Sequence, residues 1–194
     1  MDPRHVRSVT AFLARKGFQA LIVGGVVMER QGLAGTTDVD VLVAVSEFAE
    51  ASTRLAGDPK VEDFGVEEST AKGFLRLGNK RIRFDLLDPS YFSGTRSGDE
   101  FFRYAWNHWA TDEDIGRTAL PPLVWYTRLL VESEAYLERI ADDLDDGAPA
   151  EWLDQALQIA RQFKNETRIR ERLRKLNEIR PIGRSGAGNT RARE

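Results

Sequence analysis

In the stretch DVDVLV (38–43) two carboxylates alternate with apolar strand formers. That alternation restricts the fold more than any other feature. A strand has a period of two, so Asp38 and Asp40 share one side while Val39 and Val41 face the other. Unpaired, the two carboxylates repel each other and raise one pKa, and burial adds a desolvation cost. A divalent cation removes the conflict, and hard oxygen ligands suit Mg²⁺ or Mn²⁺.

A second apolar strand adds a third acid. In KRIRFDLLD (80–88), Arg81, Arg83 and Asp85 fall on one side and Ile82 and Phe84 on the other. If the two strands are neighbours, Asp38, Asp40 and Asp85 form a cluster able to hold two metal ions. Such a pair of ions clamps the attacking and leaving oxygens of an in-line phosphoryl displacement. Asp88 points the other way and stands beside Pro89, so it reads as the strand's end.

Gly24 and Gly25 precede this unit, between QALIV and VVMERQGLAG. Missing side chains at a strand-to-helix junction let phosphates approach backbone N–H groups. The order strand, GG, helix, DxD, strand is therefore a plausible holder for a metal-bound triphosphate. Thr36 and Thr37 offer hydroxyls beside the acids, and Arg128 in VWYTRLL offers a cation for the phosphate tail.

Composition narrows the chemistry. The 194 residues suffice for one sizeable core, or a core with a small helical annex. With no cysteine there are no disulfides or thiolate sites, and two histidines (His5, His108) make a histidine-rich zinc site a poor fit. No secretory signal opens the chain and no apolar run spans a membrane, so the expected location is the cytoplasm. Residues 161–194 hold 11 Lys/Arg and 4 Asp/Glu, a charge of +7 (11 − 4) on a chain of net −3. A basic end on an acidic body suits a phosphate-rich partner, or it is a solvated helix and tail.

The pattern predicts a helix over 3–16 stopped at Gly17, two short buried strands, and a helix from Ser46 to about Leu55. A hairpin follows, turning at Gly78–Asn79. The aromatic-rich span from Ser90 to Gly116 packs over the sheet. One long helix starts at Pro121–Pro122 and runs through DDLDD (142–146), with two more over 149–162 and 166–179. Expected units are a catalytic part at 1–95, a helical part at 96–180 and a flexible basic tail at 181–194.

These residues also carry a resemblance. GG at 24–25, TTDVDVLV at 36–43 and RFDLLDP at 83–89 resemble the signature of the polymerase-β-type nucleotidyltransferase superfamily. The likeness is strongest to its small bacterial and archaeal members, the abortive-infection toxins and the antibiotic nucleotidyltransferases. It covers about the first 95 residues, and more weakly the helix with Arg128. It implies an α+β nucleotidyltransferase fold, a small mixed sheet flanked by helices, with a C-terminal helical subdomain. It also implies Mg²⁺ (or Mn²⁺) on Asp38, Asp40 and Asp85 and a nucleoside triphosphate held by Gly24 and Gly25, with Thr37, Arg83 and Arg128 as weaker binders. Ala34 stands where many toxin-like relatives have an arginine, leaving Arg30 or Arg83 to substitute. The long-helix cation, commonly lysine in the family, is Arg128.

The activity implied is transfer of a nucleoside monophosphate to an acceptor hydroxyl, with pyrophosphate released. The acceptor is tRNA or another macromolecule, docked on the basic C-terminal helices, and a cognate antitoxin is an implied partner. The alternatives are a small antibiotic-like acceptor or a non-catalytic binding module. Blander readings apply elsewhere: His108 as a structural histidine, the aromatics at 101–109 as core, DDLDD as a solvated helix end, and the Arg/Glu alternation of 161–180 as an exposed helix.

Overall fold

A computed structural model describes residues 1–90 and 98–180. The first helix, α1 (Pro3–Arg15), follows from its sequence. Asp2 accepts a hydrogen bond from the Arg4 N–H (2.9 Å), Pro3 fills the first turn, and Val6, Val9, Phe12 and Leu13 are buried. It stops at Gly17 (φ 89°) in a Schellman arrangement, with Gly17 N–H donating to Ala14 O and Phe18 N–H to Leu13 O.

Among the described residues, seven strands make one mixed sheet: β1 (Leu21–Ile22), β2 (Val39–Leu42), β3 (Val61–Val66), β4 (Thr70–Leu77), β5 (Lys80–Leu87), β6 (Trp109–Asp112) and β7 (Gly116–Ala119). Their order is β3-β4-β5-β2-β1-β7-β6. β2 runs parallel to β5 and β1 parallel to β7, and the other neighbours are antiparallel. The hairpin turn stands at Gly78–Asn79, with Leu77 opposite Lys80 and Gly78 at φ 62°.

Between the strands lie α2 (Gly25–Glu29) and α3 (Val45–Ala56). The cap of α3 is Ala44, not Ser46. The chain turns into the helix directly from Val43, whose N–H still bonds Leu87 O, so Ser46 already lies in the first turn. After α4 (Gly98–Asn107) come β6 and β7, two strands that apolar alternation alone had not marked. Their connection is built by Asp112, whose carboxylate accepts from Asp114 N–H (2.9 Å) and Ile115 N–H (3.2 Å), with Gly116 at φ 101°. Tyr91 and Phe92, read as part of the aromatic layer, lie outside the described residues, as does the tail at 181–194.

The long helix expected from Pro121 is two helices, α5 (Pro121–Leu130) and α6 (Glu134–Asp145). Val131 adopts an extended conformation (φ −76°, ψ 130°), ending α5 and letting α6 fold back against it. α7 (Glu151–Gln162) and α8 (Glu166–Ile179) complete the helical layer, with α7 packed on α5 and α8 on α5, α6 and α7. α5 is buried from Pro122 to Arg128 and beyond, so it is the layer's hydrophobic axis.

Candidate active site

The parallel pairing of β2 with β5 puts Asp40 directly across from Asp85, and Val39 across from Phe84. Carboxylate oxygens of Asp38, Asp40 and Asp85 all lie within 4.8 Å of one another. The sequence-predicted acids are thus brought together by strand register.

The electrostatics follow from this crowding. Asp40 is pushed up to about 7, first by desolvation and then by the charges of Asp38 and Asp85; a hydrogen bond from Gly25 N–H and the Arg128 charge pull the other way. Burial also raises Asp85, opposed by the Arg83 guanidinium. The nearest atoms of Arg83 stand 3.8 Å from Asp38 Oδ2 and 3.7 Å from Asp85 Oδ1. Asp85 Oδ1 is buried, and among the described residues no donor stands within hydrogen-bond distance of it, Arg83 Nε being 3.7 Å away. A cluster of three carboxylates with an orphaned buried oxygen fits a divalent cation, which supplies the missing partner and the missing positive charge.

The glycine pair has a geometric reason. Gly24 sits at φ 68°, ψ −145°, a conformation that side chains rarely adopt, and a Cβ there would overlap the Asp40 carboxylate. A Cβ on Gly25 would stand 2.6 Å from Thr36 Cβ. The backbone therefore lies against the acids because neither residue carries a side chain. Thr36, not Thr37, contacts the acids: its hydroxyl donates to Asp38 Oδ1. Thr37 is exposed and does not line the cleft.

An open cleft adjoins the acids. Gly24, Gly25, Asp40 and Asp85 form one wall, and Thr127, Arg128, Tyr136 and Arg139 from α5 and α6 form the other, with Lys72 from β4. Arg128 does reach the site, but as a buried group. Its Nη1 is 2.5 Å from Asp143 Oδ2, and the same oxygen accepts from Trp125 Nε1 (2.9 Å). Asp143 belongs to DDLDD and is 2% exposed, so that acidic run is not simply a solvated helix end. The apolar stripe Leu137, Ile140, Leu144 already pointed to it, because Asp143 follows Ile140 by three residues on the buried face.

Lys72, Tyr136 and Arg139 went unremarked in the sequence, since no local pattern links β4 and α6 to the acids. Arg30, considered as a substitute cation, is bound instead to Asp112 (2.7 Å) and Asp114 (2.8 Å). His108 is exposed and stacked on Tyr104 (4.1 Å between centroids). The aromatics of α4 are mostly structural: Phe101 is fully buried against Tyr126 and Phe163.

No protein-family model and no curated protein matches the sequence. A solved structure does: an antigenic nucleotidyltransferase-like protein from Paracoccidioides brasiliensis. The similarity spans 92% of this chain and 88% of that one, with a TM-score of 0.58 and 16% identical residues. The fold is nucleotidyltransferase-like. Within it, the three clustered acids can hold a divalent metal. Among the described residues, no helix is long and apolar enough to cross a membrane.

Proposed function

We propose that this chain is a divalent-metal-dependent nucleotidyltransferase, taking Mg²⁺ or Mn²⁺. It moves a nucleoside monophosphate from a nucleoside triphosphate to an acceptor hydroxyl. The observation that carries the reading is the Asp40–Asp85 register pair, closed by Asp38, facing a cleft whose far wall carries Arg128 and Arg139. Acids and cations facing each other suit a metal-bound polyphosphate.

Asp38 and Asp40 would hold the metal ions, and Asp85 the ion nearer the attacking oxygen. Bound there, a divalent cation supplies Lewis-acid stabilisation of charge on the phosphate and lowers the acceptor hydroxyl's pKa. The chain's own residues do the rest. Gly24 and Gly25 leave the backbone open to the triphosphate. Arg128, oriented by Asp143, and Arg139 and Lys72 bind its non-reacting oxygens. The acceptor oxygen forms a bond to the α-phosphorus while the bond from that phosphorus to the bridging oxygen breaks. Pyrophosphate departs with the electron pair, and the hydroxyl proton passes to Asp85. Arg83, beside both Asp38 and Asp85, balances the acids before the metal arrives.

The test uses α-labelled nucleoside triphosphates, Mg²⁺ and total tRNA, with Asp38→Ala in parallel. Label on tRNA from the unmodified protein alone supports both transfer and an RNA acceptor. Absence of any metal-dependent pyrophosphate release, with tRNA and with small hydroxylated acceptors, overturns the reading.

A further inference from the structure

Asp40 and Asp85 are fixed by the sheet, and Asp38 is not. The β2–β5 ladder sets Asp40 opposite Asp85 and starts at Val39 opposite Phe84, so Asp38 lies one residue before the first strand pair. It closes the loop of residues 30–38 that joins α2 to β2 and contains Gly32 and Gly35. Its side chain is also the more exposed, 22% against 10% for Asp85. Three crowded carboxylates repel one another, and the easiest relief is for the acid outside the ladder to swing into water.

Thr36 opposes that swing. Its hydroxyl donates to Asp38 Oδ1 and accepts from the Asp38 N–H at 3.5 Å, so one group holds both side chain and backbone of the acid. Both ends of α2 set Thr36 in turn. At the first residue, Gly25, a Cβ would stand 2.6 Å from Thr36 Cβ, so the threonine packs where a side chain is missing. At the last residue, Glu29 Oε2 accepts from the Thr36 N–H (3.4 Å), and a Cβ on Gly35 would stand 3.1 Å from the same oxygen. The other Glu29 oxygen pairs with the Met1 ammonium. Val26, Val27 and Met28 are buried between these ends, and α2 packs on α5 and β2. The helix is thus a fixed reference for the loop.

Resting on the metal site of the transferase reading above, we infer that Thr36 is a positioning residue for that site, with Glu29 acting through it. The hydroxyl takes Oδ1, aims the carboxylate and leaves Oδ2, the oxygen 3.8 Å from Arg83, for the cation. The short helix α2 thereby links the triphosphate seat at Gly25 to the one acid that the sheet leaves loose. A group that orients a metal ligand acts on metal affinity, and its loss costs about tenfold or more.

The experiment titrates Mn²⁺ into the nucleotide-free protein at pH 8 and reads unbound Mn²⁺ by its electron paramagnetic resonance. Proteins compared are the unmodified chain, Thr36→Val, Thr36→Ser, Glu29→Ala, the pair Thr36→Val with Glu29→Ala, and Asp38→Ala as the floor. Melting in chelator verifies that each is folded, and metal-dependent pyrophosphate release is read on the same samples. Valine keeps the shape of threonine without its hydroxyl. Thr36→Val should therefore lose about tenfold or more in Mn²⁺ affinity, and Thr36→Ser should keep most of it. Glu29→Ala should lose less, and the pair no more than Thr36→Val alone, because both act through one hydroxyl. Release by Thr36→Val should need correspondingly more metal. Normal affinity in Thr36→Val, or equal losses in the serine and valine variants, overturns the proposal. Losses that add in the pair overturn the Glu29 step. Mn²⁺ that binds Asp38→Ala as well as the unmodified chain overturns the metal site and the positioning with it. The expected Mn²⁺ pattern without any release, whatever the acceptor, overturns the transferase reading and leaves the positioning standing.

Discussion

Asp40 and Asp85 are register partners on adjacent parallel strands, and burial, followed by the charges of Asp38 and Asp85, holds Asp40 away from its charged form. The folded chain therefore keeps a proton on Asp40 up to about pH 7, whereas the unfolded chain releases it near 3.8, the ordinary value for an aspartate. A raised carboxyl pKa costs stability as pH rises, so the metal-free protein weakens between about pH 4 and 7 and then levels off. Asp40→Asn removes that slope. Its melting temperature without metal should exceed the unmodified protein's at pH 8 and match it near pH 4, while transfer is lost. Calorimetric melting across pH in a chelator reads the effect, and parallel curves for the two proteins would refute it.

Metal binding has the opposite sign. Cations need the ionised cluster, so Mg²⁺ affinity should climb as pH rises through 7 and binding should release protons. Arg83 lowers the Asp85 pKa; Arg83→Ala should shift the midpoint of that climb to higher pH. Because Arg83 is exposed, solvent screening keeps that shift small. Titration calorimetry in two buffers of different ionisation enthalpy reports both the affinity and the proton count. An unmoved midpoint would remove Arg83 from the electrostatics of the site.

The acids and the glycine pair were legible because their signals are local. Two-residue alternation places Asp38 with Asp40 and Arg83 with Asp85, and Gly–Gly after an apolar run marks a bend. The parallel β2–β5 neighbourhood supplied the rest. What could not be read was information held between distant segments. The stripe Leu137, Ile140, Leu144 marks Asp143 as buried but not its partner; only the break at Val131 brings it to Arg128. In a continuous helix these two would stand about 22 Å apart. The β6–β7 pair was hidden because its short strands alternate weakly, although Asp112 and Gly116 carry the turn chemistry. Both Thr36 and Thr37 adjoin the acids in sequence, and adjacency says nothing about which hydroxyl turns toward Asp38.

Gly24→Ala tests the close approach. The added methyl collides with the Asp40 carboxylate in a backbone conformation that alanine resists, at a cost of about 2–3 kcal/mol. Gly57→Ala, a helix-end position with φ −92° and nearest contact 3.9 Å, serves as the control. Gly24→Ala should lose both stability and Mg²⁺ affinity in equilibrium denaturation and calorimetry, and Gly57→Ala neither. Retained metal affinity in Gly24→Ala would mean that the acids relax freely, contrary to the packing seen.

Arg128 and Asp143 allow stability to be separated from substrate binding. Both are buried, and burial pulls the Arg128 pKa down while Asp143 holds it up. Asp143→Asn leaves an uncompensated guanidinium in the interior, a loss of about 3–5 kcal/mol, or roughly 10 °C in Tm for a chain of this size. Replacing both partners, Arg128→Met with Asp143→Leu, removes the stranded charge and should restore part of that stability, the Trp125 N–H losing its acceptor. If Arg128 binds the triphosphate, the restored double variant still shows a KM for nucleotide raised about tenfold or more, since the pair's charge is gone from the cleft wall. A double variant that is stable and has an unchanged KM would assign Arg128 to packing alone, and leave Arg139 and Lys72 as the cleft's phosphate-binding cations.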